Sequence, residues 1–397
     1  MANKEEIIMT QEKPRKKNGI RISSMTLCLG KGVVEMTISE FQQKQSLPYE
    51  AKIAHAEKRA WEFYDTITGR GDNVHVSVGG LDSITLLVFL RSIGINAPAI
   101  SVSILEDKGN QEIHKQLGVM SIKPYKSKTQ VLNELGFPVI SKAKANKINY
   151  LLTPDAEKQT FIHAIMTGDM GAQGNFKHSN KIKLPDKWLR LFGKNYAEHR
   201  PDLKFKDVPE FKVSSRCCYY KIPPFKVSSQ CCFWMKEKPC DDWAKQNHSY
   251  PYLGLMASEG GQREMGLMKN GCNYYGKTVT RSCPFAIFSR QDLLQLALDL
   301  DVPIPRAYGE IVRDNDGTLR TTRAQRTGCS MCGFGIHIEK RPHRFDRLRQ
   351  NAPKEWHYWM YDCCTDSNGE KYGWGRVLNH IGVKWEDKLD EYNQLEL

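Results

Sequence analysis

Two groups of residues in this 397-residue chain have types and spacings suited to chemistry. The first is the run Val78-Gly79-Gly80-Leu81-Asp82-Ser83, set between a β-like segment and a helix-like one. A strand that turns through glycines straight into a helix presents free backbone N–H groups, and the helix dipole favours negative charge there. Glycines let such a turn approach a phosphate with no Cβ in the way. The run matches neither the Walker A loop nor the G-x-G-x-x-G dinucleotide fingerprint. The second group is drawn from twelve cysteines: the adjacent pairs Cys217-Cys218, Cys231-Cys232 and Cys363-Cys364, and Cys329-x-x-Cys332. Isolated cysteines such as Cys28 suit a buried apolar role. Adjacent pairs and a CxxC suit metal or redox chemistry, and this CxxC lies beside no βαβ pattern, which favours a metal half-site. Thiolates serve iron–sulfur clusters and zinc alike, and the cysteines alone do not separate the two.

The elements that must position these residues follow from periodicity. Residues 47–68 carry Ile53, Ala56, Ala60, Phe63 and Ile67 at helical spacing. Residues 73–78 read as a strand and 81–93 as a helix, with Asp82 and Ser83 placed to cap its free N–H groups. The almost continuously apolar stretch from Ile95 to Ile104 predicts a second strand, over 97–105, buried on both faces. A helix over 110–117, a strand near 118–122 and an amphipathic helix over 290–305, stopped by prolines, complete the reading. This βαβα order predicts an α/β fold with a doubly wound parallel sheet.

Composition narrows the classes. The net charge is +13, and residues 171–226 hold 13 Lys and Arg against 5 Asp and Glu, a local +8. A polyanionic partner, nucleic acid or a phosphate-rich nucleotide, is one reading, and a solvated basic face is the other. No apolar run is long enough to span a bilayer, and residues 1–19 contain no signal-peptide core, so a cytoplasmic protein without membrane partners is expected. The segments "FKVSSRCCY" at Phe211 and "FKVSSQCCF" at Phe225 repeat at a spacing of 14, as a local duplication would. The expected organisation is a basic arm over 1–46, a nucleotide-binding α/β domain over 47–305 and a Cys- and Arg-rich module over 306–397.

The Gly79-Gly80-Leu81-Asp82-Ser83 run resembles the PP-loop, S-G-G-x-D-S, of the ATP-pyrophosphatase and phosphoadenosine phosphosulfate (PAPS) reductase superfamily. Val78 stands where that motif has serine, with Ser77 one residue earlier, and Leu81 stands where PAPS reductases commonly have lysine. "YLGLMASEGGQREMGL" (252–267) resembles the family's G-x-R-x-x-E-S-x-x-R element, matching at Gly254, Glu259 and Arg263 and departing at Met256 and Gly260. The helix from Ser289 and the "PIPRAY" that follows it resemble the family's segment ending P-x-x-x-x-Y. "CCFWMKEKP" (231–239) resembles the C-C-x-x-x-K-x-x-P segment of iron–sulfur members, in which such a pair and a distal CxxC hold a [4Fe–4S] cluster beside the nucleotide. The resemblance implies a Rossmann-like, adenine nucleotide alpha-hydrolase-like fold. It implies an adenine nucleotide on Ser77, Gly79, Gly80, Asp82, Ser83, Glu259 and Arg263, and a cluster, with zinc as the alternative, on Cys231, Cys232, Cys329 and Cys332. Lys236 would neutralise cluster or phosphate charge, and Cys240 and Cys272 are reserve ligands.

Three functions are compatible with these residues. The first is a PAPS reductase-like oxidoreductase that takes PAPS or APS and a thiol reductant. The family's C-terminal E-C-G-[IL]-H nucleophile has no counterpart after Cys364, which leaves the catalytic residue unassigned. The second is an ATP- and magnesium-using, AMP- and pyrophosphate-forming enzyme in sulfur modification of nucleic acid, to which the basic stretches would bind. The third is a non-catalytic nucleotide- or nucleic-acid-binding protein with a structural metal.

Overall fold

The computed structural model describes residues 38–142, 145–146, 149, 212–214, 217–219, 225–329 and 332–386. Most of the basic arm and of the basic region 171–226 lies outside them, as does Cys28.

A six-stranded, mostly parallel sheet organises an α/β fold. Helices α1 (Ile38–Gln45) and α2 (Tyr49–Thr68) lead into β1 (Asn73–Ser77), then α3 (Leu81–Ser92), β2 (Ala99–Ser101), α4 (Lys108–Gln116), β3 (Met120–Ser121) and α5 (Lys128–Glu134). A small hairpin of β4 (Lys212–Ser214) and β5 (Cys217–Tyr219) holds the backbone of the first repeat copy. There follow α6 (Lys238–Gln246), β6 (Ser249–Leu253), α7 (Gly261–Asn270), β7 (Asn273–Tyr275), β8 (Thr280–Ser282), α8 (Arg290–Asp299) and a ribbon of β9 (Ile311–Arg313) and β10 (Leu319–Thr321). The C-terminal helices are α9 (Arg344–Asn351), α10 (Pro353–His357) and α11 (Trp374–His380). The sheet order is β3-β2-β1-β6-β8-β7, with only β7 antiparallel to its neighbour. The strand order therefore reverses between β1 and β6, which run parallel over five residue pairs from Asn73–Ser249 to Ser77–Leu253.

Local chemistry explains the elements. In α2 the predicted stripe of Ala56, Ala60, Phe63 and Ile67 is buried against the sheet core. Helix α3 is apolar along most of its surface and is correspondingly buried, from Leu81 through Leu90. Helices α5 and α8 begin with capping boxes, Ser127 with Gln130 and Ser289 with Asp292. His75 in β1 is buried and bonds the Ser249 hydroxyl of β6 at 2.8 Å, and burial pushes its pKa down to about 4, so it is neutral between the strands.

Two expectations change. The strand predicted over 97–105 ends at Ser101 and gives way to a 3₁₀ turn, Ser103–Leu105, that leaves Ile104 65% exposed. Its partner β1 stops at Ser77, so there is no ladder for later residues to join. Helix α8 ends at Asp299, ahead of the prolines, where Asp301 takes φ 47°.

A second hydrophobic core joins Phe137, Val139, Phe225 and Val227 to Ile336, Trp359, Trp374 and Leu378. A third, smaller cluster holds Val102, Leu105, Val131, Cys231 and Met235. No helix among the described residues is long and apolar enough to cross a membrane.

One polar link ties α2 to α8. Lys52 Nζ lies 2.7 Å from Asp292 Oδ2, with side chains only 7% and 11% exposed. Removing one member of a buried pair leaves the other charge unmatched. Lys52→Met should therefore destabilise the fold by about 3 kcal/mol, read as a fall in urea midpoint.

Candidate functional site

A cavity of about 270 Å³ opens past the carboxyl ends of β1 and β6, where the strand order reverses. Ligands of open α/β sheets bind at such switch points. Its walls include Ser77, Gly80, Asp82 and Ser83 from the β1–α3 turn and Gly254, Glu259 and Arg263 from the segment after β6. Tyr308, Arg326 and Thr327 close it from the C-terminal side. Six of the seven residues expected to hold a nucleotide thus border one space; Gly79 lies in the turn but not in the wall.

The turn is tightly built. Gly80 is the N-cap of α3, and neither Asp82 nor Ser83 caps that helix, contrary to the role expected of them. Ser83 instead folds back: its hydroxyl accepts from Gly79 N–H at 2.7 Å and donates to Gly80 C=O at 3.0 Å. The Leu81 N–H donates to the Tyr308 hydroxyl at 3.0 Å, and that hydroxyl also meets Thr327 Oγ1 at 2.9 Å. The N–H groups of Gly80 and Asp82 have no hydrogen-bond partner among the described residues. Behind the turn, His114 Nε2 lies 2.8 Å from Gly79 C=O, and His114 Nδ1 lies 2.9 Å from the Ser103 hydroxyl. Both departures from the PP-loop family's basic positions fall in the core here. Leu81 is fully buried and Met256 is 2% exposed, so neither position faces the cavity with its side chain.

Charges at the cavity are paired. Burial pushes the Asp82 carboxyl up from its usual range, opposed by the Arg290 guanidinium that pairs with it. Glu259, 5% exposed, receives both Arg263 and Arg326, whose side chains are 51% and 59% exposed. Arg263 therefore stands at the rim on a carboxylate from which it can swing to a ligand.

Four cysteines approach one another beyond the Thr327 wall. Burial raises the Cys231 thiol pKa, and the charges of Cys232, Cys329 and Cys332 raise it further. Burial likewise raises Cys232 to about 11 and raises Cys329. Cys329 packs in the same small core as Cys231. All four are free of disulfides. Lysines stand near them: Lys236 bonds Glu106 and acts on Cys329, Lys142 acts on Cys232, and Lys128 acts on Cys329 and Cys231. Among the described residues no three Cys, His, Asp or Glu side chains are grouped so that they could hold a metal ion. Soft sulfur donors are the ligand type of thiolate-bound metal groups, and burial raises the pKa of three of these four, Cys231, Cys232 and Cys329. Of the other cysteines, Cys240 packs against the Cys231 cluster, Cys272 lies in the main core, and Cys363 and Cys364 are buried in the second core.

The cavity and the thiols are linked along the chain. Thr327 lines the cavity and Cys329 follows two residues later. A Cβ built on Gly79 would lie 3.7 Å from Glu106 Oε1, and Glu106 pairs with Lys236. Sequence reasoning missed Glu106, His114, Arg290, Arg326 and Thr327. Tyr308 was within reach, because it ends the "PIPRAY" segment. No protein-family model and no curated protein matches this chain.

Two glycines are required by close approach. A Cβ on Gly80 would stand 2.3 Å from the Tyr308 hydroxyl, and one on Gly254 would stand 2.8 Å from the Asp82 carbonyl oxygen. Gly80→Ala should destabilise by about 2 kcal/mol, and adding Tyr308→Phe should recover part of that loss. Gly254→Ala meets backbone and should gain nothing from the same second change. Urea unfolding of the single and double variants reads both outcomes.

Proposed function

We propose that this chain is a PAPS reductase-like enzyme of the PP-loop type: it binds an adenine sulfonucleotide in the β1–α3 cavity and uses a cysteine-ligated cluster in sulfur transfer. The reading includes the finer fold assignment, a Rossmann-like, adenine nucleotide alpha-hydrolase-like sheet with a Cys- and Arg-rich C-terminal module. The observation that supports it is the link between the two groups of residues: Thr327 in the cavity wall stands two residues before Cys329, and Lys236, which pairs with Glu106 near Gly79, is close enough to Cys329 for their charges to act on each other.

In this reading the Gly80 and Asp82 amides hold the anionic tail, and Arg263 and Arg326 turn from Glu259 to its oxygens, since guanidinium groups match such oxyanions in a planar, bidentate way. A thiolate from an external thiol attacks the sulfonate sulfur. The S–O bond to phosphate breaks and its electron pair leaves on the nucleotide. A second thiol then attacks the thiol sulfur bearing the sulfonate, giving a disulfide and sulfite. Cys231, Cys232, Cys329 and Cys332 would hold a [4Fe–4S] cluster, with zinc as the alternative, and Lys236 would carry its charge balance towards the cradle. Either group would supply a fixed local charge near the bound sulfonate, and the iron–sulfur cluster alone would also be redox-active.

A second reading, Mg·ATP with release of pyrophosphate, is favoured by one observation: Asp82 and Glu259 are close enough for the charge of Glu259 to raise the Asp82 pKa, as two carboxylates flanking a hard cation would be. The test is anaerobic purification, metal analysis and titration with PAPS and with ATP. The sulfonucleotide reading expects iron and sulfide, lost in Cys329→Ser; PAPS binding without magnesium, weakened about tenfold by Arg263→Ala or Arg326→Ala; and thiol-dependent sulfite release. PAPS affinity should survive Asp82→Asn. Magnesium-dependent ATP binding abolished by Asp82→Asn, with AMP and pyrophosphate formed, replaces it with the second reading. Zinc in place of iron overturns the cluster assignment.

A further inference from the structure

We infer that His114, far from the cavity in sequence and absent from its wall, is a positioning residue that aims the anion cradle. The inference rests on reading the cavity as an anion site, and it names the group that orients that site's backbone. The Gly79–Gly80 peptide is trans, as is every peptide bond in the described residues except Arg341–Pro342. In a trans peptide the C=O of one residue and the N–H of the next point in opposite directions. The Gly79 C=O is taken by His114 Nε2 at 2.8 Å. The Gly80 N–H of the same plane is therefore directed away from His114, which is absent from the cavity wall, and Gly80 itself is part of that wall.

The donor assignment follows from chemistry. A carbonyl oxygen only accepts, so Nε2 must carry the hydrogen. In the neutral ring Nδ1 is then an acceptor, and the Ser103 hydroxyl, 2.9 Å away, is its donor. His114 is 1% exposed and Ser103 is 9% exposed, so water does not compete for either bond. The two residues this peptide joins are both glycines and lack the side-chain bulk that would resist rotation of the plane. With Gly79 N–H held by Ser83 and Leu81 N–H held by Tyr308, the amides either side of Gly80 are already spoken for. The one peptide still able to flip is the one His114 holds. A flip would present a carbonyl oxygen to the cavity in place of an N–H, repelling an anion where the present orientation attracts it.

The test compares His114→Gln, whose amide nitrogen can reproduce the Nε2 donor, with His114→Leu, which fills similar space without one. Isothermal titration with PAPS and with ATP measures affinity, and thermal unfolding of each protein without nucleotide measures stability. The expected result is affinity within about threefold of wild type for His114→Gln and a loss of about tenfold or more for His114→Leu, at melting temperatures that do not follow that order. Should His114→Leu fail to fold, Ser103→Ala takes its place: it frees the tautomer without opening the core, and a loss of about threefold or more is expected. Equal affinity in wild type and in a folded His114→Leu, or in Ser103→Ala where His114→Leu does not fold, overturns the role of His114 and leaves the cavity reading intact. Absence of binding of either nucleotide to the wild-type chain overturns both.

Discussion

The cavity depends on a close approach of three stretches of backbone. The exit of β6 at Gly254 runs against Asp82 and Ser83, and the Tyr308 hydroxyl presses on Gly80 from the other side, with no room for a Cβ at either glycine. Tyr308 itself is 3% exposed and packs into the main core, so the contact is backed by rigid structure. Because β1 and β6 are adjacent and parallel, their carboxyl ends diverge into different connections and leave a crevice between them. The turn is thus shaped from behind by the core and from the side by Tyr308, and the N–H groups of Gly80 and Asp82, two residues of the cavity wall, have no hydrogen-bond partner among the described residues.

Electrostatics around this turn follow a single pattern. Asp82, Glu106 and Glu259 all stand near the cradle, where an unmatched carboxylate would repel an anion. Each has its own cation: Arg290, Lys236, and the pair Arg263 and Arg326. The cations differ in freedom. The Arg290 and Lys236 side chains are 27% and 30% exposed, whereas Arg263 and Arg326 are more than half exposed and share one carboxylate. Two positive charges on one negative leave a surplus at the rim, and little lost packing opposes their movement. The inner pairs hold the cradle, and the outer arginines are available to what enters it.

The thiols occupy a different environment. They lie at the edge of a small apolar cluster built from Val102, Leu105, Val131 and Met235, so burial raises the pKa of Cys231, Cys232 and Cys329. Lys128, Lys142 and Lys236 approach them from three separate elements. Positive charge beside these thiols opposes the rise that burial causes. The second core, with its tryptophans and the Cys363-Cys364 pair, holds the C-terminal helices against Phe137 and Phe225.

What could be read along the chain was what neighbours in sequence decide. The α2 stripe, the β1 strand, the glycine turn and the start of α3 follow from spacing over a few residues, and they are where that spacing puts them. The Cys-Cys pair and the CxxC were recognisable for the same reason. The end of the second strand was not, because it depends on where β1 stops rather than on the apolar run itself. Nor were His114 on Gly79, Arg290 on Asp82, Arg326 on Glu259 or Tyr308 on Leu81, contacts spanning 35, 208, 67 and 227 residues. Local periodicity determined the turn and its glycines; only the packing of distant elements decided which amides of that turn have partners within the described residues and which do not, because a hydrogen bond is set by position in space and leaves no mark on spacing along the chain.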